Sequence, residues 1–503
     1  MKSRIMPFPF VSVLLRAPSF KALPFKSLLL KPLPFKPSFK RLAAGVALPL
    51  LLTLQACAVG PDYHRPDAPT PRAFKEAPAA PAGWKLAAPG AAPRGAWWEV
   101  YQDPVLNDLA AQVSVGNQNL KAYEAAYRQA LAVVREARAN LAPTVTAGPS
   151  LSRARSNGSS ATTRQVEADA SWDLDLWGKV RRQVESDRAS AEASAAELAD
   201  LTLSAQAELV TDYFALRYQD ALGRLLRDTV TAYGRSLSIA QNQYQAGVAA
   251  RSDVITAQTQ LASARASAIA SEQLRDQYEH AIALLIGKAP ADVTLAAGEL
   301  PKLIPQAPAG LPSDLLERRP DIAQAERTMQ QQNALIGVAE AAWYPSVTLS
   351  ASAGWSGASP LFSAANALWS LVASGSQTLF DGGARSAASD AARAAYDQRV
   401  ANYRQTVLAA FQDVEDELSN LRVLARQSTA QDEALTLARQ AATIALNEYR
   451  AGTQSYTTVV TAQATALSNE ESVLQIQQSR LAASAALIKA LGGGWHDGDA
   501  VGQ

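Results

Sequence analysis

The chain holds one cysteine, Cys57, and its surroundings indicate the chemistry open to that thiol. Residues 42–54 form an apolar run that follows Lys40-Arg41 and ends in Leu54-Gln-Ala-Cys57. A helix needs ~20 apolar residues to cross a bilayer, so this run is too short to span one and has the length of an export-signal core. Export exposes the thiol for acylation, and cleavage before it frees an amine for a further chain. Several acyl chains anchor stably where one is marginal. A covalent lipid on Cys57 is therefore expected, with residues 1–56 as signal peptide and residues 57–104 as the lipidated N-terminal segment. A buried structural cysteine is the alternative, but it does not explain why the thiol sits at the end of the run.

A second pattern is a row of carboxylates at period two: Glu167, Asp169, Asp173 and Asp175. Gln165 and Ser171 share their face, while Val166, Ala168, Ala170, Trp172, Leu174 and Leu176 occupy the other. Acid–base catalysis by paired carboxylates needs shifted pKa values in an enclosed site. A strand with one acidic and one apolar face instead suits a wall between water and an apolar phase. All four carboxylates are expected to face a watery lumen. His64, His280 and His496 lie far apart, and no nucleophile elbow, phosphate loop or metal-ligand spacing joins them. No catalytic, cofactor or metal site is expected. Residues 1–56 carry nine of the 47 Lys and Arg and no acid, which leaves 38 basic against 46 acidic residues in the remainder. A body of net charge −8 argues against a nucleic-acid partner.

The elements that position these residues come in two copies. Asn242-Gln-Tyr-Gln-Ala-Gly247 recurs as Asn447-Glu-Tyr-Arg-Ala-Gly452, and Val254-Ile-Thr-Ala-Gln258 as Val459-Val-Thr-Ala-Gln463, both at an offset of 205. Pro143-Thr-Val-Thr146 matches Pro345-Ser-Val-Thr348 at an offset of 202. The expected organisation is repeat 1 over residues 105–300, a connector over 301–320, repeat 2 over 321–495 and a tail over 496–503. Each repeat should contain a helix, a β-hairpin (143–177 or 345–381) and a long helical hairpin whose tip is Gly247 or Gly452. The first β-hairpin turns at Ser156-Asn-Gly-Ser-Ser160. In the second copy Val347, Leu349, Ala351, Ala353 and Trp355, then Trp369, Leu371 and Ala373, form the apolar face. Trp172, Trp177, Trp355 and Trp369 are candidates for an interfacial girdle.

Four strands cannot close a barrel, and lipid does not tolerate open strand edges, so other copies must complete the sheet. The helical stretches run about 65 residues, or close to 100 Å at 1.5 Å per residue, which implies coiled coils rather than a globular bundle. The fold class is mainly α, with long antiparallel coiled coils and four β-strands per chain; three chains would give 12 strands, a plausible membrane barrel. A coiled-coil lipoprotein of structural role would explain the helices and Cys57 but not the two-faced strands.

The chain resembles the outer membrane factors, the TolC- and OprM-like channel subunits, and especially their lipoprotein branch. The resemblance rests on Cys57-Ala-Val-Gly-Pro-Asp-Tyr-His-Arg-Pro66, Trp97-Trp-Glu-Val-Tyr-Gln-Asp-Pro104, Glu317-Arg-Arg-Pro-Asp-Ile322, Ala342-Trp-Tyr-Pro345 and the paired tips. Leu54-Gln-Ala-Cys57 likewise resembles a lipobox. The family implies a homotrimer in the outer membrane, whose four strands per chain complete a trimeric 12-stranded barrel and whose antiparallel coiled coils form a long periplasmic α-barrel. It also implies a periplasmic adaptor and an inner-membrane pump of the RND class as partners, in the export of drugs or other small molecules. It further implies a periplasmic gate, onto which Ser252, Asp253 and Tyr449 fall in place. Gln454 stands where the family has a basic residue, and Thr457, Thr458 and Thr461 stand where it often has acidic or bulky aliphatic ones. A hydrogen bond from Tyr449 to Asp253 is expected to hold the closed state.

Overall fold

The computed structural model describes residues 58–77, 95–305, 312, 315–357 and 360–495. The expected signal peptide, Cys57 itself and the tail lie outside the described residues.

Repeat 1 opens with α1 (Pro104–Gly116) and α2 (Gln118–Ala139). Asp103 caps α1, its Oδ1 accepting from the backbone N–H of Val105 at 2.9 Å and of Leu106 at 3.2 Å. Strands β1 (Thr144–Ser156) and β2 (Ser159–Asp173) follow, then α3 (Lys179–Gln245) and α4 (Arg251–Leu285). A one-turn α5 (Leu315–Arg318) ends the connector. Repeat 2 is α6 (Pro320–Ala341), β3 (Ser346–Gly357), β4 (Ala367–Ser376), α7 (Ala384–Arg450) and α8 (Tyr456–Ala490). Helices α3 and α7 are 67 residues each, about 100 Å at 1.5 Å per residue, and α4 and α8 are 35 each.

Each long helix packs along its returning partner, α3 on α4 and α7 on α8, while α3 also packs on α6 and α2. One core joins Trp97, Tyr101, Leu106, Leu109 and Val113 to Leu209, Tyr213 and Phe214 of α3 and Ile282 of α4. A second joins Ile322 and Met329 of α6 to Tyr403, Val407, Phe411 and Val414 of α7. Where α1 ends, the chain approaches the end of α4 so closely that a Cβ on Gly287 would lie 2.0 Å from the Gly116 carbonyl oxygen. Among the described residues no helix is long and apolar enough to cross a membrane.

The four strands form one antiparallel sheet in the order β1-β2-β3-β4, so the two repeats meet at β2–β3 and the outer edges of β1 and β4 have no partner among the described residues. Asn157 and Gly158, at φ 51° and 81°, make the two-residue turn between β1 and β2. Positive φ at both positions is what an Asn-Gly hairpin turn requires.

The segment that follows Cys57 is pinned where the sheet joins the helices. The Val59 N–H donates to the Trp177 carbonyl at 3.0 Å. Arg182 donates to the carbonyls of Val59 (3.2 Å) and Gly60 (3.1 Å) and to Asp62 (2.8 Å). Asn333 donates to the Pro61 carbonyl at 2.9 Å.

Candidate functional site

Two features of this fold carry the candidate function: the faces of the sheet and the tips of the helical hairpins. The register fixes the faces. Ala168 pairs with Ala147 and Ala353, and Ala353 pairs with Trp369, so these share one side of the sheet. The same side holds Val145, Leu151, Val166, Ala170, Trp172, Leu349, Ala351, Trp355 and Leu371. Trp369 and Leu371 are 81% and 72% exposed in the isolated chain, an apolar surface that water does not support. The opposite side carries Glu167 and Asp169 beside Ser150, Ser171, Thr348, Ser350, Ser352, Ser370 and Ser374. On it Glu167 accepts from Gln165 Nε2, Asp169 lies between Thr146 and Ser352, and Asp173 Oδ1 accepts from Thr348 Oγ1 at 2.5 Å.

Asp175 departs from the expectation of a lumen-facing strand residue. Strand β2 ends at Asp173, and the Asp175 carboxylate turns back to accept from the backbone N–H of Val180 and of Arg181, both at 2.9 Å, and from Arg181 Nε at 3.2 Å. It satisfies the first N–H groups of α3, which Gly178 at the cap position has no side chain to reach. Asp381 serves α7 in the same manner, accepting from the Gly383 N–H at 3.1 Å and from Arg385 Nε at 2.5 Å.

Aromatic rings stand at both ends of the sheet. Near the helices Trp172 donates to the Leu141 carbonyl (3.1 Å) and Trp177 to the Pro345 carbonyl (2.8 Å), with the Trp177 and Tyr344 rings stacked at 4.9 Å. At the far end Trp355 meets Phe362 edge to face at 5.4 Å, with Trp369 diagonal to it across the β3–β4 ladder.

At the other extreme of the chain, α3 and α7 end alike. The Gly247 N–H donates to the Tyr244 carbonyl and the Val248 N–H to that of Gln243; Gly452 and Thr453 repeat this with Tyr449 and Glu448. These are Schellman closures, and the glycines take the left-handed φ of 75° and 73° that such a cap needs. The turn brings Asp253, in the first turn of α4, beneath the last turn of α7. Tyr449 Oη donates to Asp253 Oδ2 at 3.5 Å, while Ser252 Oγ donates to Asp253 Oδ1, also at 3.5 Å. Both are long for an O–H···O bond. The Tyr449 ring is only 3% exposed and packs edge to face on Tyr456 at 5.0 Å, within a cluster that adds Ala240, Ala257, Ala445 and Val459. Burial, then the Asp253 charge, pushes the Tyr449 hydroxyl up to about 12, so it remains protonated and able to donate at neutral pH.

Gln454 does not reach Ser252; its Oε1 accepts from the Ser455 N–H at 3.3 Å. Thr457, Thr458 and Thr461 are exposed at the start of α8. Thr458 Oγ1 meets Ser455 Oγ at 3.3 Å, and Thr461 Oγ1 donates to the Thr457 carbonyl at 3.0 Å. Two contributors were not read from the sequence. Tyr456 is fully buried against Tyr449, and its hydroxyl has no hydrogen-bond partner among the described residues. Gln243 Nε2 donates to the Tyr449 carbonyl at 3.1 Å, joining the tip of one repeat to the other. Tyr456 follows the second tip where repeat 1 has Arg251, and that difference between the copies was the available signal.

The family motifs away from these places are structural. Trp97 donates to Gln206 at 3.3 Å, Tyr101 and Ser484 share a hydrogen bond of 2.7 Å, and Arg319 pairs with Asp321 (2.7 Å) and Asp413 (3.0 Å).

Over residues 109–288 and 311–493 the sequence matches the family model described as outer membrane efflux protein. It is 31% identical over 465 residues to the toluene efflux pump outer membrane protein TtgC of Pseudomonas putida, covering 88% of this chain and 94% of that protein. Its fold is similar to that of the outer-membrane channel OprN, with a TM-score of 0.82 at 31% identity over 87% of this chain and 100% of that one. The MtrE outer membrane channel of Neisseria gonorrhoeae, solved in its open state, gives a TM-score of 0.78 at 26% identity over 87% of this chain and 98% of that one.

Proposed function

The chain belongs to the outer membrane efflux protein family, and from that premise we propose how this channel is closed, opened, supplied and anchored. It is an outer-membrane efflux channel subunit whose helices extend into the periplasm. Three copies join β4 of one chain to β1 of the next, and the resulting 12 strands put Glu167, Asp169 and Asp173 in the lumen. A periplasmic adaptor and an inner-membrane pump of the RND class deliver drugs or other small organic molecules to the tips.

The periplasmic end is shut by Tyr449. The observation that carries this reading is that the ring, rooted in repeat 2 and packed edge to face on Tyr456 of its own hairpin, is buried in a cluster that includes Ala240 and Ala257 of repeat 1, with its hydroxyl 3.5 Å from Asp253. A hydrogen bond this long contributes at most about 1 kcal/mol. Burying a large side chain is worth roughly 1.5–3 kcal/mol, so ring packing outweighs the polar tie. An adaptor that prefers the separated tips then needs only modest differential affinity to open them. Single-channel conductance in planar bilayers tests this. Native protein is expected to give small, flickering openings, Tyr449→Phe and Asp253→Ala, which remove the tie from all three subunits, to raise the open fraction by up to about 150-fold, and Tyr449→Ala to raise it further. Unchanged conductance in all three folded variants would locate the closure elsewhere.

Cys57 carries the lipid anchor. In support, the residues just after it are held beside Trp177, whose ring stacks on Tyr344 at the helix-proximal aromatic level. Metabolic labelling with palmitate is expected to mark the native protein and not Cys57→Ala. Both should insert and conduct alike, because the barrel spans the membrane without the acyl chains. An unlabelled native chain would refute the anchor.

A further inference from the structure

The sheet separates its charges by sign. Every carboxylate in the four strands, Glu167, Asp169 and Asp173, lies on the polar face, and every basic residue, Arg153, Arg155 and Arg164, lies on the apolar face. The three arginines are also gathered at one end. Arg164 is opposite Leu151 on β1 and Gly357 on β3, Arg153 is opposite Thr162, and Arg155 is opposite Ser160, next to the Asn157-Gly158 turn. All three are exposed, and among the described residues none of them makes a hydrogen bond or an ion pair. Residues two apart on a strand, or diagonal across a ladder, stand about 7–8 Å apart, so the three guanidinium groups form one patch.

A charge on the lipid face of a barrel costs about 2–4 kcal/mol at the midplane and about 0–1 near an interface, so these residues belong at headgroup level. The rings agree with that placement. Val166 pairs with Trp355, and Arg164 sits one strand period further out. The patch is therefore just beyond the outer aromatic level, on the side of the membrane away from the helices. Guanidinium groups there, with no acid on their face, match phosphate in charge and in bidentate geometry.

We propose that Arg153, Arg155 and Arg164 bind the phosphate groups of an outer-leaflet lipid headgroup, giving each subunit one lipid-phosphate site on the outside of the barrel. The site rests on the barrel reading above, which conductance tests independently. It commits to a phosphorylated lipid rather than free phosphate, because the apolar strip of Pro149, Val166 and Trp355 directly below it would take the acyl chains.

The test uses full-length trimers in a non-ionic detergent, with diphosphoryl lipid A, its dephosphorylated form and inorganic phosphate as probes. Retained lipid is counted by native mass spectrometry and affinity by titration. Each basic residue at an anionic surface is worth roughly a fivefold change in affinity, so the triple Arg→Gln variant is expected to bind diphosphoryl lipid A about 100-fold more weakly. The triple Arg→Lys variant keeps the charge and should stay within about tenfold of the native protein, losing only bidentate pairing. Dephosphorylated lipid A and inorganic phosphate should each bind far more weakly than diphosphoryl lipid A. The proposal fails if native protein binds the two lipid A forms equally, if inorganic phosphate binds as tightly as the lipid, or if the folded Arg→Gln variant retains native affinity. Should that variant not assemble, the native comparison of the two lipid forms decides alone.

Discussion

Leu371→Arg is expected to abolish assembled channel in the outer membrane, whereas Ser370→Arg, one residue earlier on the same strand, is expected to leave it near native levels. The contrast follows from the register. Leu371 pairs with Ala351, which pairs with Ala170, placing it midway along the apolar face; Ser370 pairs with Ser352, which pairs with Asp169 on the polar face. An arginine at the lipid-facing midplane costs about 2–4 kcal/mol per chain, hence roughly 6–12 kcal/mol in a three-chain barrel, comparable to the whole stability of many proteins. On the lumen face the new side chain meets water and the Asp169 carboxylate. Quantifying heat-resistant trimer in outer-membrane fractions decides the matter. Loss of Ser370→Arg with survival of Leu371→Arg would mean that the faces are assigned the wrong way round.

Gly287→Val should be among the most damaging single changes in the helical part, and Gly247→Ala among the mildest, although both glycines hold nearly the same backbone angle (φ 73° and 75°). The left-handed conformation alone costs an L-residue about 1–2 kcal/mol. What differs is space. A Cβ at position 247 meets nothing within 4 Å, while one at 287 falls 2.0 Å from the Gly116 carbonyl oxygen, and a Cβ on Gly116 would fall 1.9 Å from that of Ile286. Two backbones cannot both yield there, because α1 is held by Leu106, Leu109 and Val113 in the main core. A loss above about 4 kcal/mol is expected for Gly287→Val and about 1–2 kcal/mol for Gly247→Ala. Thermal unfolding followed by helical circular dichroism measures both, and equal losses would show that backbone angle, not clearance, governs these sites.

Much of this fold is legible in the sequence because its signals are local. Glycines at 247, 287, 452 and 492 bound the helices, the Asn-Gly pair marks the β1–β2 turn, and strict alternation identifies β2. The offset of 205 shows that the same plan is used twice. The misreading at Asp175 has a definite cause: alternation continues through Leu174, Asp175 and Leu176 after the strand has ended at Asp173. Period two records residue type and not hydrogen bonding, and the carboxylate was recruited by the bare N-terminus of α3. The tips were legible in position but not in emphasis. Family likeness pointed to Tyr449 and Asp253, whereas the ring contact with Tyr456 depends on how the two arms of the repeat 2 hairpin pack across their own tip turn. The face of Arg153 and Arg155 likewise required the β1–β2 register, since β1 alone carries only a weak alternation broken by Gly148 and Pro149.

If Tyr449 closes the periplasmic end as proposed, its long contact with Asp253 also bears on how tightly a cell is sealed. A tie worth ~1 kcal/mol leaves a single tip open about one time in six, a ruinous hole in a permeability barrier. Three such ties that must break together add to ~3 kcal/mol, and the open fraction falls to roughly 1 in 150 before ring packing adds its share. Threefold symmetry thus turns a contact too feeble to seal anything into a low-leak valve. It also means that one damaged subunit among three raises the leak only by the single factor it governs, so mixed trimers should leak in graded steps rather than all at once.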